Sequence, residues 1–254
     1  MSVPLFYIPG NQQVQRSCGK TLKDMDIQLA QVPGPKVTHL LLPVPSFNDN
    51  GTLKCGGDIS ELLDQLPETI TILGGNLPEK LCQKYKTIDL LKDPQYIAEN
   101  AYITAYCAMR IIMMELPVIL RHCKILIVGW GRIAQCLANL LRCAEADVTV
   151  ATRCEKQRAL AKALGYKTVS ITDIVSELPH ARVICNTAPA NIISETQAKL
   201  CDNDCLKLDL ASSKGICGNN VLWARGLPGK DAPESSGKLI AETVVRLIDK
   251  EESS

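Results

Sequence analysis

Gly129, Gly131 and Ala134 stand at the spacing G-x-G-x-x-A inside KILIVGWGRIAQCLANLL, between an apolar run and an amphipathic helical pattern. A strand that turns sharply into a helix leaves free N–H groups at the helix start, where the helix dipole also favours an anion. The first glycine permits the tight turn, the second lets backbone approach a diphosphate without a Cβ, and the small third residue lets helix and strand pack closely. The backbone of Trp130, Arg132 and Ile133 completes this cradle, so residues Gly129 to Ala134 are expected to bind a dinucleotide. A tight strand-to-helix turn with no ligand is the plainer alternative.

Selectivity between cofactors is read at the end of the next strand, about 20 residues on, where a carboxylate would hold both ribose hydroxyls of NAD. The chain offers Ala151-Thr152-Arg153 there and no carboxylate. Thr152 can donate a hydrogen bond and Arg153 can pair with two phosphate oxygens, so NADP is the expected cofactor and NAD the alternative. Lys156 is a further cation nearby, whereas Arg158 reads as part of a solvated helix face.

Polar loops follow the other strands. Asn186 and Thr187, with Ala188 and Pro189, end one of them, and Leu210 and Ala211 end another; all six are expected to bind the cofactor, with Asn186 and Thr187 facing the nicotinamide ribose. Ser46, Asn48, Asn76, Ser212 and Lys214 are donors suited to the carboxylates of a small acid. The three histidines do not fit a proton-transfer role. His122 and His180 precede strands, away from the carboxyl ends where ligands bind in such sheets, and His39 lies within a strand. That argues against a His-dependent 2-hydroxyacid dehydrogenase.

The elements needed to position these groups alternate along the whole chain. Apolar, β-branched runs at Pro4 to Ile8, Val37 to Val44 and Thr69 to Leu73 alternate with helical patterns at Ile59 to Leu66 and Glu79 to Tyr85. Asp93-Pro94 starts a long helix to about Glu115. Beyond it, strands are predicted at Lys124 to Val128, Asp147 to Ala151, Ala181 to Cys185 and Leu206 to Leu210. Helices are predicted at Arg132 to Arg142, Glu155 to Leu164 and Pro233 to about Ile248. The expected fold is α/β: two Rossmann-like, doubly wound parallel-sheet domains with a cleft between them. The first covers residues 1–94 and is flavodoxin- or Rossmann-like; the second covers 95–254 and consists of the linker helix and the dinucleotide-binding domain. The pattern leaves open whether the helix at 235–248 returns to the first domain.

Composition excludes several classes. A formal net charge of +1 supplies no general field for nucleic acid or an anionic membrane, and 4% aromatic content disfavours base stacking. Twelve cysteines occur without a C-x-x-C pair, Cys201 and Cys205 coming nearest, so no metal site is expected and the thiols read as small buried hydrophobes of a reducing cytosol. The N-terminus lacks the pattern of a signal peptide, and Ile111 to Leu120 is too short and too interrupted to span a membrane. A cytoplasmic location is expected. No exposed apolar helix face stands out from the core pattern, although a homo-oligomer is expected.

The segments LLLPVPSFNDNG, ILGGN, ENAYITAYCAM, ELPVILRHCKILIVGWGRIAQCLANLL, ADVTVATR, ICNTAPANII, LDLASSKG and GLPGKDAPESSGKLIAETV together resemble the A-subunit of dipicolinate synthase, in order and spacing. The resemblance implies an NADP-dependent oxidoreductase of dipicolinic acid biosynthesis in sporulation. It would act on a dihydrodipicolinate-type diacid together with the flavoprotein-like B-subunit of the same synthase. Three departures bear on the substrate. YIPGNQQVQRS replaces a G-G-D-x-R-Q turn. Ile103, Tyr106 and Cys107 replace the Pro, Glu and Gly of P-T-x-E-G, and Glu234 stands where lysine is common. Thr104, Tyr106 or a held water is the expected proton acceptor, with Asn100 one helical turn from Thr104 on the same face. Two alternatives remain open: a non-catalytic NADP-binding subunit that docks a flavoprotein, and an NADP-dependent dehydrogenase of another small acid.

Overall fold

A computed structural model describes residues 4–252; Met1 to Val3, part of the stretch read for a leader, lie outside it. The chain divides into two compact units, one running to Asn100 and resuming at Pro228, the other spanning Ala101 to Leu227. Both are parallel-sheet α/β domains of Rossmann type.

The first unit has strands β1 (Leu5–Tyr7), β2 (Gln28–Leu29), β3 (His39–Leu41), β4 (Thr71–Gly74) and β5 (Lys86–Asp89). They pair in parallel in the order β2-β1-β3-β4-β5, the flavodoxin-like sequence of strands. Helices α1 (Gln13–Asp24), α2 (Ile59–Leu63) and α3 (Glu79–Lys84) connect them, and α4 (Pro94–Glu115) leaves the sheet. β2, β5 and α1 escape the sequence reading. β2 spans two residues and β5 buries Ile88 alone, so neither shows the period-2 signal. α1 is polar overall and buries only Gln15, Cys18, Gly19 and Leu22.

The second unit has strands β6 (Lys124–Val128), β7 (Asp147–Ala151), β8 (Lys167–Val169), β9 (Val183–Asn186), β10 (Leu206–Asp209) and β11 (Val221–Trp223). Their order, β11-β10-β9-β6-β7-β8, is the dinucleotide-binding arrangement, reversing direction of winding between β6 and β9. β6 and β7 take the predicted bounds because both are apolar and centrally placed, whereas the edge strands β8 and β11 escape the sequence reading. Helices α5 (Arg132–Cys143), α6 (Glu155–Ala163) and the short α7 (Glu195–Ala198) cover the sheet. α5 buries Ala134, Leu137, Ala138 and Leu141, an i, i+3, i+4, i+7 stripe.

After α8 (Leu227–Asp231), the last helix α9 (Pro233–Glu252) groups with the first unit, where Ile240, Ala241, Val244 and Ile248 share a core with Phe6, Cys18 and Leu22. The two-unit division therefore differs from the contiguous 95–254 segment.

Two expectations need correction. α4 exposes Tyr102, Tyr106 and Met113 along one face, with Met114 beside them, so an apolar helix face does stand out. The sequence hid it because α4 is apolar almost all round, leaving no polar side to contrast with it. The cysteines are also not uniformly buried: Cys82, Cys143 and Cys154 are exposed. The Cys201 and Cys205 thiols are pushed up by burial, Cys205 to about 12. Among the described residues no helix is long and apolar enough to cross a membrane, and no group of three His, Cys, Asp or Glu could hold a metal ion.

Candidate dinucleotide site

The G-x-G-x-x-A turn sits at the carboxyl end of β6, where the sheet reverses its winding. Gly129 has φ +97°, a left-handed conformation that side chains rarely adopt, and its N–H donates to Ala151 O at 2.8 Å. A Cβ there would lie 2.6 Å from Thr187 Oγ1. Thr187 is held in place because its N–H and its hydroxyl both donate to Val128 O, each at 2.9 Å. The loop after β9 is thus fastened to the end of β6 across the crevice.

Gly131 plays a different part. Its φ of −80° and ψ of −176° suit any residue, and it is the N-cap of α5 with no side-chain cap. A Cβ at Gly131 would meet nothing within 4 Å, so open space faces the first turn of α5. That turn carries no acidic residue. Uncapped N–H groups, the positive end of a twelve-residue helix and free volume in front of it fit a diphosphate. Ala134 is fully buried, as the third position of the fingerprint requires.

Trp130 offers its backbone alone. Its indole is buried edge-on against Tyr166, with ring centroids 5.3 Å apart, and its Nε1 has no hydrogen-bond partner among the described residues. Its carbonyl accepts from Gln135 Nε2 at 3.0 Å, which pins the turn to α5. Arg132 is exposed and Ile133 half-buried.

At the end of β7 the structure reassigns one donor. Thr152 is buried, and its hydroxyl donates to Gln157 Oε1 at 2.8 Å, so it is not available for a 2′-phosphate as expected. Arg158 is more than a solvated face: its Nη1 donates to the carbonyls of Thr152 at 2.8 Å and Arg153 at 3.0 Å, shaping the loop. Arg153 itself is exposed.

Asn186 is likewise engaged inside the protein. Its Nδ2 donates to Ala188 O and to Asp209 Oδ1, and its Oδ1 accepts from Ala188 N, so its side chain shapes the loop and does not point to a ribose. Ala188 is half-buried and Pro189 exposed. Asp209, which the sequence reading passed over, is the hub. Fully buried at the end of β10, it accepts from Asn186 Nδ2 and from the N–H groups of Ala211, Gly215 and Ile216 at 2.7 to 3.1 Å. Four donors compensate the burial of its charge. An acid inside the apolar strand LKLDL was the available signal, since such residues are rarely buried without partners. Leu210 and Ala211 are buried beside it.

Ser212 and Lys214 are exposed on the loop after β10. Lys214 Nζ and Arg225 Cζ lie 5.3 and 5.2 Å from the Trp223 ring centre, and Trp223 Nε1 donates to Ala211 O. Neither Trp223 nor Arg225 was read from sequence, because β11 had been missed.

The first-unit candidates behave as loop supports. Ser46 is fully buried; its hydroxyl donates to Pro43 O and accepts from Gly75 N, so it cannot donate to a carboxylate. Asn48 Nδ2 donates to Thr52 Oγ1 at 3.0 Å, closing its own turn. Asn76 is exposed at φ +54°, with its N–H on Asp89 Oδ1. On α4, Thr104 is buried and Asn100 half-buried, while Tyr106 is 58% exposed and contacts the Tyr102 ring. Two residues along a helix turn the side chain by roughly 200°, so Tyr106 and Thr104 do not share a face.

No family model matches this chain. The A-subunit of dipicolinate synthase from Bacillus subtilis (strain 168) is 21% identical to it over 264 residues, covering 96% of this chain and 87% of the relative. The crystal structure of the dipicolinate synthase A-subunit from Bacillus halodurans superposes with a TM-score of 0.81 at 19% identity, covering 97% of this chain and 98% of the other. An L-alanine dehydrogenase superposes with a TM-score of 0.69 at 10% identity, over 99% of this chain and 82% of that one. The resemblance to the dipicolinate synthase A-subunit carried by the sequence motifs thus extends over almost the whole chain, and the fold is shared with dehydrogenases.

Proposed function

We propose that this chain binds NADP at Gly129 to Ala134 and works as an oxidoreductase like the dipicolinate synthase A-subunit, on a heterocyclic dicarboxylic acid. The observation that carries the reading is the open space at Gly131 in front of an uncapped helix start. The N–H groups of α5's first turn would hold the diphosphate, and exposed Arg153 would pair with the 2′-phosphate. When bound, NADP supplies a two-electron hydride acceptor. The chain's residues bind and orient it, while the loops buttoned by Thr187 and Asp209 keep its binding edge fixed. Lys214 is the cation assigned to a substrate carboxylate. Thr104, with Asn100 on the same face of α4, is assigned to relaying the proton released as the ring is oxidised. Tyr106 leaves that role because it lies on the other face. Aromaticity of the product favours the reaction.

The resemblance to the dipicolinate synthase A-subunit supports both the substrate class and a flavoprotein-like partner. A second reading, a cofactor-binding subunit that orders a partner's site, is favoured by the exposed face of Tyr102, Tyr106 and Met113. Absorbance of reduced cofactor separates the two. Turnover of a dihydrodipicolinate by the isolated chain supports the enzyme; NADP binding with turnover only after the flavoprotein-like B-subunit is added supports the docking role. Absence of NADP binding contradicts both.

A further inference from the structure

One arginine closes the loop at the end of β7. The carbonyls of Thr152, Arg153 and Cys154 follow one another along the chain, and all three accept from Arg158. Its Nη1 donates to Thr152 O at 2.8 Å and to Arg153 O at 3.0 Å, and its backbone N–H donates to Cys154 O at 3.0 Å. Side chains in a helix lean toward its N-terminus, so an arginine one turn into α6 reaches back over the loop before it. A terminal guanidinium nitrogen carries two N–H groups, which lets Nη1 serve both side-chain bonds.

Arg158 is half-buried and makes no ion pair among the described residues, so its charge meets carbonyl dipoles in place of a carboxylate. Other polar groups of the loop are engaged as well: the Thr152 hydroxyl donates to Gln157 Oε1 at 2.8 Å, and the Cys154 N–H donates to Thr152 Oγ1 at 3.4 Å. The Arg153 side chain stands outside this frame, exposed. A loop whose carbonyls are fixed presents that side chain from one backbone conformation, which lowers the ordering cost of binding. Without the Arg158 guanidinium, the Thr152 and Arg153 carbonyls lose these donors, and a carbonyl oxygen turned toward an anion repels it.

We propose that Arg158 is a positioning residue for cofactor selectivity: it holds the backbone of Thr152 and Arg153 so that the Arg153 guanidinium meets the 2′-phosphate, and does not touch the phosphate itself. This role rests on the reading that the chain binds NADP with Arg153 on that phosphate. Part of the selectivity then resides five residues beyond the cation that contacts the cofactor.

The test is a calorimetric titration of the full chain with NADP and, separately, with NAD, for the unmodified protein, Arg153→Ala, Arg158→Met and the double variant. Methionine keeps an unbranched apolar stem at the position and removes the guanidinium. Arg158→Met should weaken NADP about fivefold and NAD by less than about twofold, since NAD offers no phosphate for Arg153 to meet. Added to Arg153→Ala, it should weaken NADP by less than about twofold more, because nothing remains for it to position. Equal losses for NADP and NAD in Arg158→Met, or no loss, would overturn the proposal and leave a support for the loop between β7 and α6. The same loss repeated on top of Arg153→Ala would also overturn it, and make Arg158 a second cation on the phosphate. If the unmodified chain binds no NADP, or Arg153→Ala alone leaves the preference for NADP unchanged, the cofactor reading itself fails and this role with it.

Discussion

Each unit turns from its first strand into its first helix at a glycine in the left-handed region, Gly10 at φ +89° and Gly129 at φ +97°. In both, the missing Cβ makes room for a neighbour: Cys55 Cβ would be 2.7 Å from a Cβ at Gly10, and Thr187 Oγ1 would be 2.6 Å from one at Gly129. Beyond the bend the two units part ways. The second unit adds Gly131, with nothing near it, and an apolar helix pressed on the sheet. The first unit continues with Asn11 and Gln12 into a helix whose exposed side carries cations. A left-handed glycine therefore marks the bend itself, while the residues two to ten positions later determine what the bend can hold.

The comparison can be broken at several points. Asp209→Ala should have the largest effect, removing one acceptor from four donors and costing about 3 kcal/mol, or about 10 °C in melting temperature. Thermal denaturation checks it; a change under a degree would mean that the loops bracing the second unit's turn do not depend on the carboxylate. Gly129→Ala should cost about 2 kcal/mol, because the left-handed backbone and Thr187 both oppose a side chain. Gly131→Ala sharpens the contrast. Its stability should change by less than about 0.5 kcal/mol, while dinucleotide affinity falls about tenfold, as a calorimetric titration would show. A stability loss as large as that at Gly129 would contradict the division of labour between the two glycines.

Arg153→Ala should weaken NADP about tenfold and leave NAD nearly unchanged. Equal losses would mean that the 2′-phosphate lies elsewhere. The smallest effect belongs to the first unit. Burial of Asp93 opposes its charge, but hydrogen bonds from Arg246 and from the Tyr96 N–H, with the charge of Arg246, outweigh it and hold the carboxyl below its usual value. A depressed folded pKa gives stability present above the unfolded value of about 3.9 and lost as pH falls through the folded value. Arg246→Met should therefore cost about 1 kcal/mol at neutral pH and progressively less in acid, measured by chemical denaturation. A difference that does not shrink with acid would assign the loss to packing of the Arg246 stem.

Much of the architecture was legible because the central strands of a parallel sheet are nearly continuous apolar runs. KILIV and DVTVA have no other comfortable home. The edge strands were hidden because solvent on one side removes the signal, and with β11 went Trp223 and Arg225. The glycine turn was legible because strand, spacing and helix agree. The polar loops were not: Ser46, Thr152 and Asn186 have the residue types of binding groups, yet in each case a nearby backbone or side-chain partner takes up the hydrogen bond. Sequence shows which donors exist, but only the folded chain shows which are already engaged.

The account rests on the turn after Val128, and a crystal structure of the chain with NADP tests it most directly. The expected result is a diphosphate within hydrogen-bonding distance of the N–H groups of Arg132 and Ile133, with Arg153 on the 2′-phosphate. A cofactor found elsewhere, or a turn refilled by neighbouring side chains, would contradict it.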